Sequence, residues 1–127
     1  MPHGLEALTT ATLSLALDAA SLRQRALAAN IANHATPGYV PVKVDFDAQM
    51  QEAKRALDSR GSVDAASLAG VQLHAQPALD VNGQPVKLRL DALVADMAQN
   101  SVQYQALSKA LGRHFSILSS AVSDGKR

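Results

Sequence analysis

The side chains best suited to metal ligation or general-base chemistry in this chain are four histidines, His3, His34, His74 and His114. They are scattered singly. Zinc sites need ligands brought together, as in a His-Glu-x-x-His pair on one helix face or a Cys–His cluster, and neither pattern occurs. Asp45 and Asp47 could be written as a carboxylate pair for acid–base work. Two acids just ahead of a helical pattern are expected instead to cap that helix and meet the positive end of its macrodipole. The glycines form no phosphate-cradling loop, and the serines lack the context of a nucleophile elbow. The absence of cysteine excludes a disulfide scaffold and thiolate chemistry and fits cytosol and periplasm equally. We therefore expect no enzyme, with no catalytic residue, no cofactor, no metal and no small-molecule substrate.

The chemistry that remains is hydrogen bonding at a joint. Asn30 and Asn33 lie one helical turn apart, just ahead of Thr36-Pro37-Gly38-Tyr39. A residue before proline is pushed out of the α region, and Pro37 then fixes its own φ and removes a donor, so a helix must stop here. Pro37 and Gly38 fit the two central positions of a type II turn from Thr36 to Tyr39, the second of which wants positive φ. The amides of Asn30 and Asn33 can bond to carbonyls freed at the helix end or to a neighbouring chain.

Long helices must carry this joint. The chain has 127 residues, a formal net charge of +1 and only 3% aromatic residues with no Trp. A core is thus deprived of its largest side chains, and the Ala- and Leu-rich composition favours long helices over a sandwich or barrel. The small net charge argues against nucleic acid or an anionic membrane as principal partner. Asp18, Arg23 and Arg25 interrupt the N-terminal segment, so no apolar run is long enough to span a membrane. The N-terminus lacks a basic region followed by an apolar stretch and a small-residue cleavage site, so no cleaved secretory signal is expected.

Over roughly residues 5–35, Leu5, Leu8, Thr12, Leu15, Ala19, Leu22, Ala26, Ala29 and Asn33 alternate spacings of three and four, the seam of a coiled coil. A second set, Leu13, Leu17, Leu27 and Ile31, widens the apolar surface, as a helix with contacts on more than one side requires. The middle of the chain, about 36–87, reads as short extended and loop segments. Tyr39 to Phe46 alternates apolar and polar residues, with Pro41 limiting it to an edge position. Phe46, Met50, Ala53 and Leu57 predict a short helix capped by Asp45 or Asp47. Asp58 to Gly70 reads as a flexible loop, and Asn82-Gly83 suits a tight hairpin turn.

From about 88 to 122 the helical pattern returns, with Leu90, Leu93, Met97, Asn100, Tyr104, Leu107, Leu111, His114, Leu118 and Ala121 in heptad spacing. Two seams separated by a turn-rich middle predict one mainly α domain over residues 1–127, its long terminal helices forming an antiparallel coiled-coil-like hairpin. A polar residue at a seam position fixes register, the role expected of Asn100. His114 marks a position opened to a neighbouring subunit, or is an exposed helix-surface histidine. The tail from Ser123 to Arg127 is expected to fray.

Asn30-Ile31-Ala32-Asn33 with Thr36-Pro37-Gly38-Tyr39, then Val44-Asp45-Phe46, Asn100 to Leu107 and Phe115-Ser116-Ile117-Leu118, resemble the flagellar basal-body rod proteins, bacterial axial proteins of the rod and hook family. The resemblance covers both ends of the chain and not about residues 55–80. It implies a structural subunit of the proximal rod, because only a short segment separates the terminal helices, leaving no room for the outer domain of hook and distal-rod members. It further implies helical packing with other rod proteins, contacts with the inner-membrane ring, its rod adaptor and the export gate, and a periplasmic location reached without a cleaved signal. Asn30, Asn33, Thr36, Pro37, Gly38 and Tyr39 would form the assembly joint, and Asn100, Tyr104, Leu107, Leu111, Phe115 and Leu118 the C-terminal packing face. The alternatives are another short proximal rod protein, or a soluble helical-hairpin adaptor or chaperone that binds one partner through its seam.

Overall fold

The computed structural model describes residues 2–51, 55, 59 and 65–125. Helix α1 spans Pro2–Ala32. It ends at Ala32 rather than Ala35, because the chain turns through Asn33 to Ala35 on its way to Pro37. Strand β1 (Val42–Lys43), helix α2 (Phe46–Gln49), helix α3 (Ala65–Ala69) and strand β2 (Gln76–Pro77) make up the middle. Helix α4 spans Leu90–Gly125, so the helix continues through Ser123 and Asp124, where fraying was expected.

The two long helices pack antiparallel. Thr10 meets His114, and further along the hairpin Ala20 and Gln24 meet Asn100 and Ser101. On α4 seven of the ten positions of the heptad series form the packed face, while Leu90, Tyr104 and Ala121 are exposed. Leu93 and Asn100 are buried and Met97, Leu107, Leu111, His114 and Leu118 half-buried, with Ser101 beside them. On α1 the expected seam is displaced. The polar contacts to α4 come from Thr10, Ala20 and Gln24, which fall on the series Thr10, Leu13, Leu17, Ala20, Gln24, Leu27, Ile31. The series that begins at Leu5 faces elsewhere: its Leu15 and Leu22 border a groove with Val71 and Leu73 of the middle segment. Both series have heptad spacing, so α1 can present one face to α4 and the other to the middle of the chain.

The middle segment is ordered by a few specific bonds. Asp45 caps α2, its Oδ1 accepting from the Ala48 N–H at 3.0 Å. Ala53 and Leu57, which continued the expected helix, lie outside the described residues. So do residues 58 and 60–64 of the expected loop from Asp58 to Gly70, but its end is not a loop. Ala65–Ala69 form helix α3, whose Leu68 is only 4% exposed. Five residues of good propensity need only one buried leucine to be held as a turn of helix, a length too short to show periodicity.

β1 and β2 pair antiparallel with Val42 opposite Pro77 and Lys43 opposite Gln76. Proline is tolerated here because the bond at the next rung comes from Ala78, whose N–H donates to the Pro41 carbonyl at 2.8 Å. Gln49 ties α2 to the returning chain, donating through Nε2 to the His74 carbonyl at 2.8 Å and accepting from the His74 N–H at 3.0 Å. The expected hairpin closes at Leu79 and Pro85, with φ at Gly83 of +76° and the Asp80 carboxylate accepting from the Asn82 and Gln84 N–H groups. Asn82 keeps negative φ. The tip is thus a three-residue loop with glycine in the left-handed position, not a two-residue turn.

Burial is uneven along the hairpin. Ala19, Ala20, Ala26, Leu27, Asn30, Val44, Leu68, Ala78, Leu93 and Asn100 form the core, all near the joint. Neither α1 from Gly4 to Asp18 nor α4 from Val102 to Gly125 holds a buried residue. These two arms form the open end of the hairpin.

Candidate functional site

The joint is built on the last turn of α1. Asn30, 5% exposed, turns its carboxamide toward the chain leaving the helix. Its Nδ2 donates to the Val42 carbonyl at 2.8 Å, and its Oδ1 accepts from the Val42 N–H at 3.0 Å and from the Tyr39 hydroxyl at 2.8 Å. The amide therefore does for the free side of β1 what a neighbouring strand would do, through bonds within the chain. Asn33 works locally: Nδ2 donates at 2.9 Å to the Ala29 carbonyl, which also accepts from the Asn33 N–H at 3.0 Å, and Oδ1 accepts from the Thr36 hydroxyl at 3.3 Å. His34 adds a ring-nitrogen contact to the Ile31 carbonyl at 2.8 Å.

The turn itself has the expected geometry. The Tyr39 N–H donates to the Thr36 carbonyl at 3.2 Å, and Gly38 has φ +77°. A Cβ at Gly38 would meet nothing within 4 Å, so the demand for glycine comes from the backbone angle alone. Thr36, Pro37 and Gly38 are all exposed, as is the neighbouring Val40 at 45%. An internally braced turn thus presents a rigid knuckle to whatever lies beyond the joint.

The second polar centre lies in the seam. Asn100, 3% exposed, donates through Nδ2 to the Ala20 carbonyl at 2.8 Å and to Gln24 Oε1 at 2.7 Å. Gln24 passes the chain on, donating through Nε2 to Ser101 Oγ at 3.1 Å. Asn100 Oδ1 is buried without a partner among the described residues. The sequence reading missed Gln24, because it falls outside the series taken as the seam; its place three residues before Leu27 and four after Ala20 was the available signal. His114 is not an exposed helix-surface histidine. It is half-buried, with Nε2 3.1 Å from Thr10 Oγ1 across the hairpin.

The residues expected on the C-terminal packing face divide in two. Leu107, Leu111 and Leu118 lie half-buried along the hairpin with the buried Asn100. Tyr104 and Phe115 stand 44% and 50% exposed, and Val102, Ile117 and Val122 are more exposed still. The α4 arm therefore carries an apolar surface that α1 leaves uncovered. Among the described residues no group of three or more His, Cys, Asp or Glu could hold a metal ion, and no helix is long and apolar enough to cross a membrane.

No protein-family model matches the chain. It is similar to the flagellar basal body rod protein FlgB of Bacillus subtilis, with 27% identity over 125 residues, covering 93% of this chain and 95% of that protein. It is also similar to FlgB of Escherichia coli, with 31% identity over 113 residues, covering 76% of this chain and 79% of that protein. FlgB of Shigella flexneri matches to the same extent.

Proposed function

Because this chain belongs to the FlgB family of flagellar basal body rod proteins, we propose that it is a structural subunit of the proximal rod, packing helically with other axial proteins into a hollow shaft that transmits torque. The observation that supports this reading is the contrast between the braced joint and the uncovered arms. Asn30 uses both acceptor positions of its Oδ1 and one N–H of its Nδ2 to hold the chain reversal. The arms leave Leu5, Val102, Phe115, Ile117 and Val122 at least half exposed. A rigid corner with apolar faces on more than one side suits heterologous contacts, which build open helical assemblies rather than closed dimers.

In this reading the subunit's work is mechanical. Torque is carried by side-chain packing between neighbouring helices, and the braced joint resists bending where the chain reverses. The neighbours are other rod proteins, the inner-membrane ring with its rod adaptor, and the export gate. The subunit resides in the periplasm and arrives through the flagellar export apparatus without a cleaved signal. No catalytic step is involved.

The test is a reconstruction of basal bodies purified from cells that carry only this copy of the gene, with a matched deletion strain. Density for the two-helix hairpin in the proximal rod, and loss of the rod on deletion, are expected. Intact rods and normal swimming without the protein would overturn the reading.

A further inference from the structure

The hairpin tip carries the one asparagine of the four in this chain that is followed by glycine. Asn30 and Asn100 are buried, Asn33 bonds through both ends of its carboxamide, and all three precede residues with side chains. Asn82 differs in each respect. It is exposed, its carboxamide makes no hydrogen bond among the described residues, and a Cβ built on Gly83 would meet nothing within 4 Å, so nothing crowds the peptide that follows it.

This juxtaposition sets up an intramolecular reaction. The Gly83 backbone nitrogen, once it loses its proton, can attack the side-chain carbonyl carbon of Asn82. A C–N bond forms, the bond to the side-chain NH2 breaks, ammonia leaves with the proton, and a succinimide ring remains. Water then opens the ring. Attack at the former side-chain carbonyl leaves aspartate, and attack at the main-chain carbonyl leaves isoaspartate, whose backbone is longer by one methylene. The step needs only water as co-reactant and no change of oxidation state. Glycine is the favourable neighbour because it leaves the nitrogen unobstructed and free to reach a near-attack geometry.

The fold holds this reaction back at the nitrogen. The Gly83 N–H donates to the Asp80 carbonyl at 3.0 Å, and Asp80 Oδ1 accepts from the Asn82 N–H at 2.9 Å and from the Gln84 N–H at 3.0 Å. The Asp80 N–H closes the loop onto the Gln84 carbonyl at 2.7 Å. A bonded N–H gives up its proton less readily, and its nitrogen is kept in the turn instead of swinging toward the Asn82 carboxamide. We propose that Asn82 is a deamidation site and that Asp80 sets its rate by keeping the tip folded. The inference is independent of the rod reading, since the chemistry runs in the isolated chain. Its consequence falls on exposed surface: the neighbouring Val81 is fully exposed, and conversion adds a negative charge, or lengthens the main chain, in the loop that presents it.

The test uses the full-length chain at mildly alkaline pH, folded or in urea. Peptide mass spectrometry follows deamidation, and a protein isoaspartate methyltransferase reads the isoaspartate formed. Asn82 should convert before the other three asparagines. In the folded chain it should convert at least about tenfold more slowly than in urea, because the tip must open first. Asp80→Ala should bring the folded rate to within about twofold of the urea rate, with helix content by circular dichroism unchanged, because the tip loses two of its hydrogen bonds. Asp80→Ser, which keeps an acceptor oxygen without the charge, should be slower than Asp80→Ala. Conversion of another asparagine ahead of Asn82, equal rates in folded and unfolded chain, or an Asp80→Ala rate as slow as the wild type would overturn the proposal. So would an Asp80→Ser rate equal to that of Asp80→Ala, which would assign the effect to charge and not to the bonds that hold the tip.

Discussion

The Asn30 carboxamide engages both backbone polar groups of Val42, donating to its carbonyl at 2.8 Å and accepting from its N–H at 3.0 Å, so the last turn of α1 and the first strand are joined edge to edge. The same oxygen holds the Tyr39 hydroxyl at 2.8 Å. Together these bonds fix the direction in which the chain leaves the helix, and with it the placement of every residue of the middle segment.

Removing that amide should therefore loosen the joint more than removing Tyr39's hydroxyl. Asn30→Ala strands a buried N–H and a carbonyl and should cost about 2–4 kcal/mol, while Tyr39→Phe should cost about 1 kcal/mol. Urea unfolding of both single variants and the double variant gives the coupling. A cost for Asn30→Ala no larger than that for Tyr39→Phe would show that the edge contact is not what holds the turn.

Gly38 is a backbone requirement, which separates its substitutions by residue type. Gly38→Val should cost about 1–2 kcal/mol from the left-handed angle, and more where branching stiffens the residue, whereas Gly38→Asn should be mild because nothing crowds its Cβ. Swimming on soft agar should fail for Val and survive for Asn while export of both continues. Equal motility of the two variants would remove the special role of the turn.

The Asn100 centre should limit stability while setting register. Asn100→Leu eliminates a buried oxygen that has no donor among the described residues, although it also releases Gln24, and should raise stability by roughly 1 kcal/mol. Register is read by disulfide formation between Thr10→Cys and His114→Cys, which face each other across the hairpin. In the Leu variant that bond should form more slowly and with mixed products from shifted pairings. Unchanged melting together with unchanged trapping would mean that the amide does neither job.

Uneven burial predicts uneven protection in the free monomer. Tryptic cleavage should occur first at Lys109 and Arg113, on the arm without buried residues, and later at Arg23, which borders the core. Assembly should protect all three sites. Simultaneous cleavage at Arg23 and Arg113, in one cooperative step, would describe a hairpin of uniform stability.

Much of the molecule was legible before folding because its signals are local. Thr36-Pro37-Gly38 restricts backbone angles whatever surrounds it, the α4 heptads name their own packed face, and Asp45 caps the helix that follows it. Family membership was legible for a related reason, since those same joint and seam residues carry the resemblance. What tertiary structure alone decided was the choice between equivalent faces. α1 carries two interleaved heptad series, one from Leu5 and one from Thr10, and spacing cannot say which meets α4. Contact with Asn100 and His114 selects the second, leaving Leu15 and Leu22 to the middle segment. The partner of Asn30 was equally undecidable, because a side-chain amide can satisfy any backbone group within reach, and only the path of the chain past Pro41 brings Val42 there. Helix α3 shows the same limit: a single turn has no period to read, and it exists because Leu68 finds a place to be buried.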